Sequence, residues 1–187
     1  LVGSEMCIRD RDKETGKAVL ADGKEITAST TFTPEKSEGS VDVIFTFDAS
    51  VVAPKTVVAF ETLTYKKIQI AVHAEIEDKD QTVYIPKVRT TAIADDTKDH
   101  VTEAKKEVTI VDTVSYEGLE VDREYTVKGV LMDKSTGEEL KVNDESITAE
   151  ETFTADAADM IITLTYTLDA ITLAGTTTVV FETLYTE

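Results

Sequence analysis

Few side chains in the 187 residues are equipped for chemistry. The histidines are His73 and His100, and the single cysteine is Cys7. A lone thiol excludes an internal disulfide framework and a cysteine-based zinc site. With so few histidines, no metal site and no cofactor is expected. The acidic run Glu75–Asp80 lacks the glycine and the ligand spacing of a calcium loop, and reads as a solvated turn. His100 sits in a polar loop and reads as inert. No nucleophile elbow, zinc motif or Ser-His-Asp context is visible, so a hydrolase is not expected. Glu61 is different. It alternates with Val57, Ala59 and Leu63 along one strand face and is expected to point into a core. A carboxyl there should have a raised pKa, as a general acid requires. His73 and Gln81, taken alone, read as solvated or hydrogen-bonded strand residues.

The elements that must hold these residues are strands. Val41, Val43, Phe45 and Phe47 share one face, with Asp42, Thr46 and Asp48 opposite. Ile26–Phe32, Thr56–Leu63, Lys67–Ala74, Val108–Val114 and Glu124–Met132 also read as strands, rich in Thr, Val and Ile. Turn signals punctuate them at Gly16, Gly23, Gly39 and Gly137. Short strands at this spacing predict an all-β fold of tandem Ig-like, Greek-key β-sandwiches.

An internal repeat organises the chain. Asp12-Lys-Glu-Thr-Gly16 matches Asp133-Lys-Ser-Thr-Gly137, 121 residues on, and the same shift aligns Phe45-Thr-Phe-Asp-Ala49 with Tyr166-Thr-Leu-Asp-Ala170 and Phe60-Glu-Thr-Leu63 with Phe181-Glu-Thr-Leu184. From Asp12 to Leu63 there are 20 identities in 52 positions, enough to exclude chance in one unbroken register. The match stops abruptly before Asp12. Residues 1–11 resemble a translated sequencing adapter and are set aside as a non-native leader. The expected layout is therefore the back part of one repeat at 12–87, a junction at Pro86, and the front part of the next at 88–187. Both ends read as cut, so a signal peptide and an anchor are expected outside this piece.

Charge narrows the function further. The net charge is −18, with 41% apolar and 30% charged residues. An acidic surface excludes the basic footprint of nucleic-acid binding and disfavours an anionic membrane. No apolar run is long enough to span a bilayer, so no membrane insertion is expected in this segment.

Several motifs in order carry a family resemblance. Thr56-Val-Val-Ala-Phe-Glu-Thr-Leu63, His73 followed eight residues later by Gln81-Thr-Val83, Pro86-Lys-Val-Arg-Thr-Thr-Ala-Ile-Ala94, Val111-Asp-Thr-Val-Ser-Tyr-Glu-Gly-Leu119 and Tyr125-Thr-Val-Lys-Gly-Val-Leu-Met-Asp133 together resemble VaFE repeats. These are the Thr–Gln ester-bond domains of Gram-positive surface adhesins. The resemblance implies a self-made cross-link in which a Thr hydroxyl on the first strand attacks a Gln carboxamide on the last. It matches Thr90 to the nucleophile, with Thr91 as fallback, and Gln81 to the acyl donor. It matches His73, Glu61 and Asp112 to the proton-handling group, with Glu182 the second-repeat equivalent of Glu61. Thr90 and Gln81 fall in different repeats, so no internal ester is expected in this chain. The implied function is a stalk module of an adhesin or pilus-like protein, extracellular and cell-wall-anchored, with neighbouring repeats as partners and single-turnover chemistry at most. The alternative is an adhesin module that binds a host-surface or matrix glycan or protein.

Overall fold

The computed structural model describes residues 3–186 and forms two compact units, Leu1–Lys87 and Val88–Glu187. Both are all-β. Among the described residues the helical turns are two short 3-10 turns, Ala49–Val51 and Ile171–Leu173, and no helix is long and apolar enough to cross a membrane.

Unit 1 contains β1 (Ser4–Asp12), β2 (Leu20–Ala21), β3 (Lys24–Glu25), β4 (Thr27–Phe32), β5 (Lys55–Tyr65), β6 (Ile68–His73) and β7 (Thr82–Ile85). Its main sheet runs β4-β1-β5-β6, and β7 also pairs with β5. β6 covers Glu61–Tyr65 of β5 and β7 covers Lys55–Val58, so the two follow one another along a single edge. Val19, Ile26, Val52, Val57 and Ile85 form the core, with Phe45 and Phe47 packed against it.

Unit 2 contains β8 (Lys87–Ala94), β9 (Val108–Glu117), β10 (Glu124–Asp133), β11 (Lys141–Val142), β12 (Glu145–Ser146), β13 (Thr148–Thr154), β14 (Met160–Leu168) and β15 (Thr178–Thr186). Here two sheets, β13-β10-β15 and β14-β9-β8, enclose one core. Alternation decides which residues enter it: Leu164, Tyr166 and Leu168 of β14 are buried while Thr163, Thr165 and Thr167 are exposed. Gly129 of β10 is required by this packing. A Cβ there would stand 1.9 Å from the Tyr166 hydroxyl, so only glycine lets the tyrosine ring lie across the strand.

Two expectations change. The leader set aside above is part of the fold. β1 lies between β4 and β5, with Ser4 opposite Phe32 and Tyr65; in unit 2, Tyr125 lies opposite Phe153 and Thr186. Adding 121 to each unit 1 number gives the unit 2 register, although residues 4–11 share no identity with 125–132. Ladder hydrogen bonds use only backbone, so register survives where side chains have diverged. The side chains do matter inside. Asp10 is 2% exposed, its Oδ2 has no hydrogen-bond partner among the described residues, and burial pushes its carboxyl up to about 6. Asp12, on the same strand, is also buried, but Lys55 and the Thr15 N–H outweigh that burial and hold its carboxyl below the ordinary range.

The second change concerns residues 41–48. They keep the predicted alternation, and Phe45 and Phe47 stack with centroids 6.1 Å apart, yet they pair with no strand among the described residues. Their equivalents in β14 are held by β9, and unit 1 has no counterpart of β9 among the described residues.

Candidate functional site

The unit 2 site lies between its sheets. β9 turns Val108, Asp112, Val114 and Tyr116 to the buried side, so Asp112 enters the core by strand parity. β15 brings Glu182 opposite Gly129, on the face that also packs Val180 and Leu184 against the core. Asp112 is fully buried, and neither of its carboxylate oxygens has a hydrogen-bond donor among the described residues. Glu182 Oε1 and the hydroxyls of Tyr116 and Tyr166 are likewise buried without partners.

This makes one acidic cluster. Asp112 and Glu182 can hydrogen-bond to each other only when one of them carries a proton, and two adjacent buried carboxylates resist ionising together. Burial first, then the hydrogen bond to Asp112 and its charge, push Glu182 up to about 8. The nearby Thr90 hydroxyl acts weakly the other way. Asp112 is also raised, chiefly by burial, with Glu182 and the Thr91 backbone N–H opposing. Burial and the two acids raise both tyrosine hydroxyls well above their ordinary range. Thr90 and Thr91, both exposed on β8, are the residues through which that strand reaches the pair. The pair can hold one proton and one negative charge side by side, beside a hydroxyl.

Unit 1 assembles the other residues. Glu61 of β5 stands directly opposite His73 of β6, with Nδ1 3.9 Å from Oε2. His73 Nε2 lies 2.9 Å from Asp78 Oδ2 in the following turn. The Gln81 carbonyl accepts the Ala59 N–H at 3.0 Å, which fixes Gln81 on the same edge two residues from Glu61. The Glu61 side chain is 29% exposed, against the expectation of a core carboxyl. Its strand parity is as read, but no opposing sheet covers it among the described residues.

The structure therefore gathers Thr90, Asp112 and Glu182 in unit 2, and Glu61, His73 and Gln81 in unit 1. His100 is exposed in its loop; its ring Nδ1 lies 3.0 Å from the Ala92 carbonyl and its backbone N–H donates to Asp99 Oδ1. Three neighbours escaped sequence reading. Tyr116 and Tyr166 sit at inward positions that read as ordinary core. Asp78 hides in an acidic turn, five residues after His73, where several carboxylates look alike. The missed signal for the tyrosines was Gly129, a glycine inside a strand that makes room for a ring.

The chain matches one family model twice, over residues 1–85 and 86–187, and that model describes the T-Q ester bond containing domain. The chain belongs to this family. No curated protein matches it. T-Q ester bond domains are adhesin-type modules of surface proteins, and the family implies a structural cross-link in place of turnover. Gln81 lies in the first match, and Thr90, on β8, in the second.

Proposed function

We propose that these repeats are stalk modules of a bacterial cell-surface adhesin or pilus-like protein, cell-wall-anchored through the longer polypeptide and stiffened by Thr–Gln ester bonds. The observation that carries this reading is buried Asp112 with half-buried Glu182 beside it, their oxygens unpartnered among the described residues, and Thr90 on the strand next to β9. An alcohol is a weak nucleophile and an amide a poor leaving group, so the reaction needs a base and an acid at the same place. In this reading the ionised member of the pair accepts the Thr90 proton as Oγ attacks the Gln carboxamide carbon. The protonated member donates to the departing nitrogen. The C–N bond breaks, ammonia leaves, and the pair returns to its starting charge. A His73-type imidazole opposite the glutamate and the Asp78-type partner behind it would orient the acid and relay protons. Tyr116 and Tyr166 keep the site dry and stay protonated. The tie between first and last strands then resists pulling force and constrains the unfolded chain, as a disulfide would. Neighbouring repeats of the same chain are the expected partners.

The test uses the repeat register. Glu187 is equivalent to Lys66, so residues 88–187 followed by 67–87 rebuild one full set of strands. Intact mass lower by one ammonia, restored by Thr90→Ala, is the expected result. Full mass in both folded proteins would sink the ester. A ligand-binding adhesin module is the second reading, favoured by exposed Phe181 and Tyr185 on one face of β15. Retention on immobilised glycans or matrix proteins, lost on replacing both aromatics, would support it.

A further inference from the structure

Gly129 and Tyr166 come from β10 and β14, strands of different sheets, and they fit only as a pair. A Cβ on Gly129 would stand 1.9 Å from the Tyr166 hydroxyl, 3.2 Å from its Cζ and 2.9 Å from Leu164 Cδ1. The phenol end of the ring therefore rests on the bare backbone of β10. Gly129 lies directly opposite Glu182 in the β10–β15 ladder, where Cα atoms are about 4.5–5.5 Å apart and side chains share a face. Leu164, two residues before Tyr166, lies directly opposite Asp112, which makes Tyr166 a diagonal neighbour of that acid. The hydroxyl thus reaches from one sheet to the other and ends beside both acids, each of which acts on its ionisation. Unit 1 has Ile8 and Phe45 at these two places, so the gap and the hydroxyl are present together in one unit and absent together in the other. Packing alone does not call for the hydroxyl. Phenylalanine fills the same ring volume, and a buried hydroxyl without a partner costs about 1–3 kcal/mol.

We propose that Tyr166 is a positioning residue of the unit 2 site: seated over Gly129, its hydroxyl turns its proton toward the Asp112–Glu182 pair and stabilises the member that is ionised. The company of the pair among the described residues leaves Tyr166 this part. β9 contributes Asp112 and Tyr116, β15 Glu182, β14 Tyr166 and β10 Tyr125. β13 turns Ala149 and Phe153 to the core, and β8 adds Thr90 and Thr91. None of these is a cation. The Tyr125 hydroxyl is taken elsewhere, accepting the Glu120 N–H at 3.0 Å. Tyr166 is 1% exposed, so water does not compete for its hydroxyl, and burial with the two acids keeps it protonated. It has no direct hydrogen-bond partner among the described residues, so it acts as an oriented dipole. Inside a core such a dipole acts on a carboxylate beyond contact distance, because little water screens it.

The use of this dipole in the Thr90 reaction rests on the ester reading above, while the donor role does not. In that reaction one carboxyl must be charged to take the Thr90 proton. A donor that favours the charged form lets the pair release one of its protons at lower pH, so the base is present at neutral pH. Tyr166 itself forms no bond and gives up no proton.

Carboxyl-carbon NMR of the whole 187-residue chain tests the proposal, with glutamate labelled at Cδ and the Glu182 signal assigned by its loss in Glu182→Gln. Tyr166→Phe keeps the ring, as Phe45 does in unit 1, and removes the dipole. The Glu182 midpoint should then rise by about one pH unit, a ten-fold gain in proton affinity. A midpoint that stays within about 0.2 of a pH unit, or one that falls, overturns the proposal and leaves Tyr166 as ring packing alone. A second measurement needs no variant at Tyr166. With tyrosine labelled at Cζ, the Tyr166 signal should shift at the Glu182 midpoint, as the group its hydroxyl faces gains charge. A Tyr166 signal flat across that midpoint overturns the proposal even if Tyr166→Phe does not fold. Failure here is distinct from failure of the ester. An unmoved midpoint removes the dipole and leaves the ester standing, whereas full mass in the rebuilt repeat removes the ester and leaves the dipole.

Discussion

Asp10 in β1 and Leu131 in β10 stand at the same place in the two units, opposite Ala59 and Val180. One is a buried carboxyl with an unpaired oxygen and the other a leucine with no exposed surface. The same contrast recurs two residues earlier. Ile8 of unit 1 takes the place of Gly129, and Phe45 takes the place of Tyr166. Where unit 2 makes room for a hydroxyl near its acids, unit 1 has neither the room nor the hydroxyl. Both units nevertheless keep one ladder register. A β-ladder is specified by backbone hydrogen bonds and by which side chains face inward, and it tolerates considerable change in what those side chains are. A site tolerates much less, because burial, charge and a shared proton depend on each atom that lines it.

The comparison can be broken at the core position first. Leu131→Asp imposes unit 1's carboxyl on unit 2 and should cost about 4 kcal/mol, from lost burial plus an unpaired buried acid. Calorimetry should show the unit 2 transition falling sharply while the unit 1 transition stays in place. Next in size is Gly129→Ala, which drives a methyl into the Tyr166 hydroxyl and should cost about 2–3 kcal/mol. Adding Tyr166→Phe, which copies Phe45, should recover part of that loss, and a double-mutant cycle would measure how much.

The reverse change, Asp10→Leu, should stabilise unit 1 by about 2 kcal/mol near neutral pH. It should also flatten a pH dependence. A carboxyl raised from its ordinary 3.8 to about 6 binds its proton more tightly in the folded state, so stability is lost as pH climbs through that window. Unit 1 should therefore weaken between about pH 4 and about pH 6, and Asp10→Leu should not.

The smallest effect sharpens the site. Glu182, raised from 4.5 to about 8, gives unit 2 a decline of the same sign that extends to higher pH. In Glu182→Gln the fall in unit 2 Tm between about pH 4.5 and about pH 8 should shrink, while unit 1's own decline stays where it was.

Much of the molecule was legible beforehand. Alternation located β5, β6, β9 and β10, and the repeat aligned Glu61 with Glu182. The inward parity of Asp112 follows from a strand in which Val108, Val114 and Tyr116 alternate with polar neighbours. β1 is not legible in the repeat because residues 4–11 share no identity with 125–132, and the ladder that holds this strand does not need identities. The expected core placing of Glu61 fails for the opposite reason: parity says which way a side chain points, not whether a second sheet is there to cover it.

By itself the sequence determined the periodicity, and with it which side chains face inward, because a strand's two-residue repeat is a local property of the backbone. It also determined the repeat and the residue types available for acyl transfer. Only the tertiary structure decided that Asp112 and Glu182, on strands of different sheets, come together at the core of unit 2 with oxygens that have no partner among the described residues. Proximity across a core and loss of solvent are set by how sheets pack, and no local pattern encodes that.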